Sequence, residues 1–437
     1  MLILTAGTLF SVDFGGIIDN TTAFGNNAET PFQQSDKLSL WFNTGTEKNL
    51  IFSVMGSYTY SLERPYLFNL DDFQLKGNYF SGKNNTTNIT FNLGRFILTD
   101  PTKYVLNHRI DGFSVGVGYP KFEVKSAFGF TGLELKPVSE IVLSKTDVNA
   151  FSEDLVKLAS PRMVGSIVLR LPNLFLRQNL DLSFLFQEDL RPLIQNDSTP
   201  ATLILIEEGE EKEVAKRGGA LDTQYSSLKI GGPVIEGIFY DVFFILGTGR
   251  ELSFIDSVYS YVPILSYNSG LNLRYYNEDL LYSRINAGFV FSSGDADNSS
   301  YYEGSTAGKS TIFLPMTEYP FAALFNPQVG NLGAVSLGYS VKPLSFLPGL
   351  LAENFQAELD GILFFRTSEG SISEGVLDLS KSGAYLGTEI DFGLNFRPFS
   401  DLGFSSTTAF FFPNESIFAD GEGGMQFEEK IEFSLSF

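Results

Sequence analysis

The chain has no cysteine and a single histidine, His108, among its 437 residues. Without cysteine there can be no disulfide framework, no thiolate metal ligand and no thiol nucleophile. One imidazole cannot complete a shell of His and Cys ligands around a metal ion. The sequence therefore predicts no metal site of this type and no cofactor.

Basic residues are also scarce. There are 30 Lys and Arg against 51 Asp and Glu, which gives a formal net charge of −21. Nucleic acid needs a surface rich in Lys and Arg, so the composition argues against a nucleic-acid partner. Small polar or ionic solutes, with cations preferred, are the partners that this balance favours.

Long apolar runs are missing as well. Polar residues or glycine interrupt every hydrophobic run before the roughly 20 residues that a membrane-spanning helix needs. The segment from Met1 to Gly7 has no basic region typical of a secretory signal, so we expect that the signal peptide is absent from this chain. The same segment already alternates, which predicts that the first strand starts at once without an N-terminal plug.

What the sequence has in abundance is Phe, Tyr and Gly, with 43, 19 and 42 copies, and a hydrophobic pattern of period two. At the C-terminus, Phe427, Ile431 and Phe433 fall on one face of a strand, whereas Glu428 and Lys430 fall on the other. One face suits lipid and the other suits water. We therefore expect β-strands that are half exposed to a membrane.

Runs of this kind predict an all-β chain of about 18 strands, with 16 also possible. The predicted strands cover residues 2–14, 36–44, 49–62, 71–80, 86–97, 104–119, 121–132, 161–171, 178–188, 219–231, 236–248, 262–276, 280–293, 329–342, 353–367, 381–397, 401–413 and 426–437. The strands near residues 161 and 219 have the weakest patterns.

The predicted connections alternate between short and long, as they do in outer-membrane barrels, which have short periplasmic turns and long extracellular loops. The short connections cover residues 43–47, 119–120, 231–233, 276–279 and 398–401. The long connections cover residues 15–35, 133–160, 189–218, 293–328 and 414–425. Residues 148–158 could form a short helix that folds into the pore, and the acidic run 207–213 is interpreted as a solvated loop.

An alternating β-protein can cross a membrane only as a closed barrel, because every backbone group must be hydrogen-bonded inside lipid. The predicted fold is a single transmembrane antiparallel up-and-down β-barrel domain over residues 1–437, located in the bacterial outer membrane. An even strand count lets the first and last strands pair in antiparallel fashion.

The last strand, which ends in Phe437 with Phe433 and Ile431 on the same face, resembles the terminal strand of bacterial outer-membrane porins. The rhythm of long loops and short turns extends this resemblance over the whole chain. The resemblance implies that the barrel-assembly machinery recognises the C-terminal strand. The sequence leaves open whether the barrel is a monomer or a trimer, with the monomer preferred.

Charged residues on the polar faces are the predicted pore lining. They are Lys121, Lys125, Arg162, Arg170, Arg274, Arg284, Glu358, Asp360, Glu389 and Asp391. Bases on strands 7 and 8 would lie opposite acids on strands 15 and 16, which would create a transverse field across the pore. The competing interpretation is that these charges merely pair with their neighbours.

The predicted function is therefore a porin or channel for passive or facilitated diffusion of small polar solutes, with a mild preference for cations. A loop-plugged barrel that serves as an adhesin or structural envelope protein is the alternative. An outer-membrane hydrolase is disfavoured, because His108 has no evident nucleophile and Asp111 is too close in sequence to define a triad. Asp295 and Asp297 resemble the start of a calcium loop, but the required Gly and Glu are not at the right spacing.

Overall fold

The structure is a computed structural model. It describes residues 10–26, 31–46, 50–62, 64–81, 86–144, 147–148, 157–191, 203–207, 210–214, 221–255, 258–298, 300–302, 308–347, 349, 354–419, 421 and 423–437.

Eighteen of the twenty described strands form one closed antiparallel sheet. These strands are β1 (Phe10–Gly25), β2 (Phe32–Thr46), β3 (Leu50–Ser61), β4 (Leu67–Ser81), β5 (Thr87–Thr99), β6 (Asn107–Tyr119), β7 (Phe122–Phe130), β8 (Arg162–Phe175), β9 (Gln178–Asp189), β12 (Leu221–Ile235), β13 (Ile238–Ile255), β14 (Val258–Asn277), β15 (Ser283–Ser292), β16 (Leu332–Val341), β17 (Phe355–Arg366), β18 (Tyr385–Phe399), β19 (Leu402–Pro413) and β20 (Gln426–Ser436). The remaining two, β10 (Leu203–Glu207) and β11 (Glu210–Val214), form a separate hairpin between β9 and β12.

The barrel closes between its first and last strands. β20 pairs with β1 from Ile17 opposite Ser436 to Gly25 opposite Glu428. The backbone of Phe437 continues this ladder, with its N–H donating to the Gly16 oxygen at 3.0 Å and its oxygen accepting from the Gly16 N–H at 2.9 Å. Closure leaves no open sheet edge, which is the condition for a β-sheet to span lipid.

Alternation along each strand separates an outward face from an inward face. On β17, Leu359 and Leu363 are 50% and 39% exposed, whereas their inward neighbours Ile362 and Phe364 are buried. The outward face is apolar on most strands, as a lipid-facing surface must be. The inward face is partly polar and partly covered by loops.

The connections lie at two ends of the barrel, and most of the long ones are at the same end. The end with residues 120–121, 176–177, 236–237 and 400–401 is called the short-turn end, and the end with residues 131–161, 293–331, 367–384 and 414–425 is called the long-loop end. The connection 342–354 is longer than the others at the short-turn end. At the long-loop end, the connections 26–31, 62–66, 100–106 and 256–257 are short, so the predicted alternation of short and long connections holds only for part of the ring.

The predicted fold class and strand count are confirmed, because each predicted strand overlaps one strand of the barrel. Two details were wrong. Most of the predicted loop 15–35 belongs to β1 and β2, and the predicted turn 231–233 lies inside β12. Within the run 207–213, Glu207 ends β10 and residues 210–213 belong to β11, and the interpretation of this run as solvated stays a prediction.

The chain contains no helix, within the described ranges, that is long and apolar enough to cross a membrane. A 3-10 turn, Lys136–Val138, occurs in the described part of the connection between β7 and β8. Most of the helix predicted for residues 148–158, and the start of the first predicted strand at residues 2–9, lie outside the described residues.

Candidate functional site in the barrel lumen

Seven of the ten predicted pore residues lie on the inward face of the barrel with partly or fully exposed side chains. These are Lys125, Arg170, Arg274, Arg284, Glu358, Asp360 and Asp391. Lys121 is an exception, because β7 begins at Phe122 and Lys121 belongs to the preceding turn. Arg162 and Glu389 also face inward, but they are fully buried beneath loops.

Some basic residues of the inner wall have acidic neighbours, whereas Lys125, Arg284 and Arg397 form no ion pair among the described residues. Arg170 Nε lies 2.9 Å from Asp181, and Arg274 forms an ion pair with Asp241. Lys229 lies 3.9 Å from the same Asp241. Neighbouring carboxylates therefore neutralise Arg170, Arg274 and part of the charge of Lys229, and of these only Arg170 belongs to the bases on strands 7 and 8 that the sequence set against the acids.

The acidic residues of the opposite wall have no such partners. Asp360 on β17 is directly paired in register with Asp391 on β18, and Glu358 is the next inward residue along β17. Within the described part of the chain, none of these three carboxylates forms an ion pair, although Arg284 acts on Asp360 electrostatically at longer range. This wall consequently carries a net negative charge that faces the lumen.

Glu389 holds a loop against the wall instead of lining open space. Its two carboxylate oxygens accept hydrogen bonds from the backbone N–H groups of Leu324 and Phe325, at 2.6 and 2.8 Å. Asp391 accepts a longer bond, at 3.3 Å, from the N–H of Ala323. The connection 293–331 is thus fixed inside the barrel by hydrogen bonds from its backbone to the carboxyl groups of Glu389 and Asp391.

Arg162 is the centre of a second loop contact, here called the arginine latch, formed by Arg162, Arg191, Asp147, Asp189 and Gln187. Arg162 lies 2.8 Å from Asp147 and donates to Gln187 at 2.7 Å, while Arg191 lies 2.6 Å from Asp147. Burial alone would raise the pKa of Asp147, but the guanidinium groups of Arg162 and Arg191 lower that pKa to about 2. The latch therefore joins the connection 131–161 to the long-loop ends of β8 and β9.

Apolar clusters fill the lumen between these contacts. Tyr104 is stacked between Phe243 and Tyr319, with ring centroids 4.6 and 4.1 Å away. On the other side, Phe325 of the same inward loop stacks on Phe411 of β19 at 4.4 Å. Burial raises the pKa of the Tyr104 hydroxyl. The long-loop half of the lumen is thus packed like a protein core.

The short-turn half is different, because its inner wall encloses a recess of about 530 Å³. Charged residues from several strands line it, namely Asp19, Lys342, Arg397 and Glu432, together with the amides of Gln356 and Asn395. Glu432 accepts a hydrogen bond from Ser405 at 3.1 Å and pairs with Lys430 at 2.9 Å. This wall can bind water and small polar solutes.

His108 does not form a catalytic triad. Its Nε2 lies 2.9 Å from Glu134 and 3.4 Å from the Ser139 hydroxyl, so both contacts use the same ring nitrogen. A triad requires the acid on one nitrogen and the nucleophile on the other. Asp111 instead forms a bidentate pair with Arg95, at 2.9 and 2.8 Å.

The Asp295 segment behaves as a turn. The Asp295 carboxylate accepts the backbone N–H groups of Asp297 and Thr311, at 3.1 and 2.8 Å. Across the ranges that the structure describes, no group of three or more His, Cys, Asp or Glu side chains is arranged to hold a metal ion.

Known structures with the same architecture are porins of Pseudomonas aeruginosa. OpdO is 11% identical, with a TM-score of 0.57, and the match covers 98% of this chain and 97% of OpdO. OccK5 (OpdH) is 12% identical, with a TM-score of 0.56 and coverage of 97% and 98%. This chain has the porin fold. OccK2 (OpdF), solved in complex with glucuronate, is 9% identical, with a TM-score of 0.56 and 98% of both chains covered.

No protein-family model matches the chain, and no curated protein matches it by sequence. At identities this low, the structural neighbours establish the architecture of the barrel and leave its solute to be inferred from the lumen itself.

Proposed function

We propose that this protein is a channel of the bacterial outer membrane for the diffusion of small polar solutes. The observation that carries the proposal is the charged inner wall of a closed barrel, which would have no use in a dry interior. Glucuronate, which is bound to OccK2, is a small polar solute. It supports the proposal that this barrel conducts solutes of the same class. No catalytic role is assigned to any residue.

The orientation follows from the unequal connections. In outer-membrane barrels the short turns face the periplasm and the long loops face outside. The inward-folded connections 131–161 and 293–331 would then narrow the external entrance, and the polar recess would lie on the periplasmic side. The exposed C-terminal Phe437 would remain available to the barrel-assembly machinery.

A mild preference for cations follows from the unequal walls. The bases Arg170 and Arg274 are paired, whereas Glu358, Asp360 and Asp391 face the lumen without ion-pair partners among the described residues. An uncompensated negative wall raises the local concentration of cations. Lys125 and Arg284 also face the lumen without an ion pair among the described residues, so the transverse field predicted from the sequence stays a prediction beside this cation preference.

A second function is supported by the packing at the long-loop end. The apolar clusters around Phe313, Met316 and Phe364 are fully buried, and they obstruct the lumen as a plug would. A plugged barrel would serve as an adhesin or a structural envelope protein through its long loops. Conductance separates the two functions.

The deciding experiment is single-channel recording in a planar bilayer under a salt gradient, using folded protein. The channel proposal expects stable current steps and a reversal potential that indicates mild cation preference. Neutralising the wall with Asp360→Asn and Asp391→Asn should lower the cation-to-anion permeability ratio about twofold. The matched control removes two carboxylates outside the lumen, Glu278→Gln and Asp279→Asn, and should change the ratio less.

If protein that migrates as a folded barrel gives no current steps, this result would contradict the channel proposal and favour the plugged barrel. An equal effect of the wall variant and the control would contradict the acidic wall as the source of cation preference.

A further inference from the structure

The only histidine of the chain is buried against a loop that folds into the barrel. His108 is the second residue of β6 and is 5% exposed. Its Nε2 atom lies 2.9 Å from a carboxylate oxygen of Glu134, which belongs to the connection 131–161 and is 2% exposed. The contact therefore attaches the first part of this connection to the wall of the barrel.

Positive charge, and not hydrogen bonding, stabilises the Glu134 carboxylate. Neither of its oxygens accepts a hydrogen bond of good geometry from a described residue. A buried carboxylate in this condition is costly unless a cation lies beside it. Within the described ranges, its ion-pair partners are His108 at 2.9 Å and Arg109 at 3.6 Å. The nearer of the two partners is the one that can lose its charge.

Arg109 cannot supply this charge alone, because a second carboxylate shares its guanidinium group. Asp71, which is 4% exposed, lies 3.5 Å from Arg109. The neighbouring guanidinium of Arg95 is already engaged by both oxygens of Asp111. The network thus contains three carboxylates, namely those of Asp71, Asp111 and Glu134, against two guanidinium groups. Counted with the imidazole, it is electrically balanced only when the imidazole carries a proton.

The other polar groups near the imidazole do not change this balance. The carboxylate of Asp100, which follows β5, accepts four backbone N–H groups of the turn 102–106. These bonds stabilise its negative charge locally. Lys136 lies two residues after Glu134 but forms no ion pair with it. The Ser139 hydroxyl, 3.4 Å from Nε2, is neutral.

We propose that His108 and Glu134 form a pH-dependent clasp that holds the connection 131–161 in the barrel. Histidine is the side chain that changes charge between about pH 5 and 8 in proteins. With the proton, the network is balanced and the clasp is closed. Without the proton, the buried network has one excess negative charge, which favours release of Glu134. The clasp therefore stabilises the inward loop in acid, and this contribution is lost as the pH rises.

Release affects only the two ends of the connection, because a second attachment remains between them. Asp147 stays ionised in the arginine latch over this pH range. The Ala159 N–H donates to the Glu134 backbone oxygen at 2.9 Å, so the last residues of the connection are tied to the first. We therefore expect residues 132–141 and 157–159 to loosen together. The narrower external entrance that follows in acid rests on the proposed channel function, whereas the clasp itself does not.

Hydrogen exchange of the full-length protein in lipid nanodiscs tests the clasp. After correction for intrinsic rates, a peptide that covers residues 132–141 should exchange about tenfold faster at pH 8 than at pH 5.5, because a contact between charged groups is lost. A peptide from β9, residues 178–188, should show no such change. His108→Gln removes the titrating group, so exchange over 132–141 should be equal at both pH values. The matched control Ser139→Ala keeps the titrating pair and should retain the pH dependence.

The single histidine provides a second measurement on the unmodified chain. In protein purified without a histidine tag and labelled with 13C-histidine, one imidazole signal reports the charge of His108 directly. We expect its titration and the change in exchange over residues 132–141 to share one midpoint. Glu134→Gln should make that exchange fast at both pH values while the imidazole still titrates.

The clasp is overturned if the imidazole signal does not change between pH 5 and 8, or if His108→Gln keeps the pH dependence of the unmodified protein. Neither measurement needs a current. A silent barrel with pH-dependent exchange would refute the channel alone. A conducting barrel with pH-independent exchange over residues 132–141 would refute the clasp alone.

Discussion

In the long-loop half of the lumen, the inward side chains of Val164, Ile245 and Phe364 are completely buried, whereas in the short-turn half Lys125, Arg284 and Arg397 remain exposed. Both sets lie on the inward faces of strands of the same barrel, the buried residues on β8, β13 and β17 and the exposed ones on β7, β15 and β18. The difference between the sets is therefore not a difference between the two faces of the sheet. It comes from whether an inward residue can pack against a loop. Loops enter where the wall is apolar and offers a few buried charges as anchors.

Charged residues therefore have different roles in the long-loop half and the short-turn half of the lumen. Near the long loops, Arg162 and Glu389 are buried anchors whose partners belong to loops. Near the short turns, Arg397 and Lys125 face the interior space. Replacing one charge in each half should separate stability effects from effects on permeation.

The largest expected effect comes from Arg162→Ala. It leaves Asp147 and Asp189 with less compensating charge in a buried site, and removing one partner of a buried ion pair costs about 3–5 kcal/mol. We expect a lower free energy of unfolding in denaturant, release of the connection 131–161 to protease, and a larger single-channel current.

The control for this change lies on the same strand. Arg170→Ala breaks the pair with Asp181, but the Arg170 side chain is 49% exposed, so the expected cost is within about 1 kcal/mol. Equal losses of stability in the two variants would contradict the assignment of the arginine latch as the main anchor.

A smaller effect is expected from Glu389→Gln. The variant keeps the shape of the side chain but weakens two hydrogen bonds from Leu324 and Phe325 to a charged group, each worth about 1.5–3 kcal/mol. Hydrogen exchange should accelerate in a peptide that covers residues 321–328. Glu358→Gln, which only weakens a 3.3 Å hydrogen bond from Asn395, should leave that exchange unchanged, and acceleration in both variants would oppose the anchor role.

The smallest expected effect is a pH dependence that runs in opposite directions for two loop contacts. The pKa of Asp147 is depressed from 3.8 to about 2. Its contribution to the stability of the folded protein is therefore present above pH 3.8 and is lost as the pH falls through about 2. Burial raises the pKa of Glu374 from 4.5 to about 7, so the folded protein favours the protonated carboxyl. This contribution to stability is complete below pH 4.5 and is lost as the pH rises through about 7.

Hydrogen exchange at matched intrinsic rates can check both contacts. Protection of the described parts of connection 131–161 should decline below about pH 4, and protection near Asn326, whose N–H donates to Glu374 at 2.7 Å, should decline between about pH 5 and 7. A common pH dependence for the two loops would contradict their separate anchors.

The prediction of strands from the hydrophobic pattern failed next to the closing strands β20 and β1, and the reason is physical. The predicted first strand ended at residue 14, whereas β1 continues to Gly25. Its outward residues Asn20 and Thr22, and Gln34 and Asp36 on β2, are polar, so they remove the period-two signal on which the prediction rests. The failure of the pattern therefore marks a stretch of β1 and β2 whose outward side chains are polar.

The sequence contains a signal that predicts which wall positions the inward loops cover. Where both faces of a strand are apolar, as in Phe243, Phe244, Ile245 and Leu246, the inward residues cannot be facing water. Such runs indicate wall positions that loops cover. The pairing of Arg162 with Asp147, however, joins a strand to a loop, and spacing in the sequence does not predict it.

The sequence by itself determined the closed barrel, the number of strands and the inward or outward side of most residues, because lipid and water impose a period of two on each strand. Only the tertiary structure decided which inward charges face the lumen and which hold loops. That outcome depends on contacts between residues far apart in the chain, such as Glu389 with Phe325 and Arg162 with Asp147, whose energies come from burial and mutual geometry and not from local pattern.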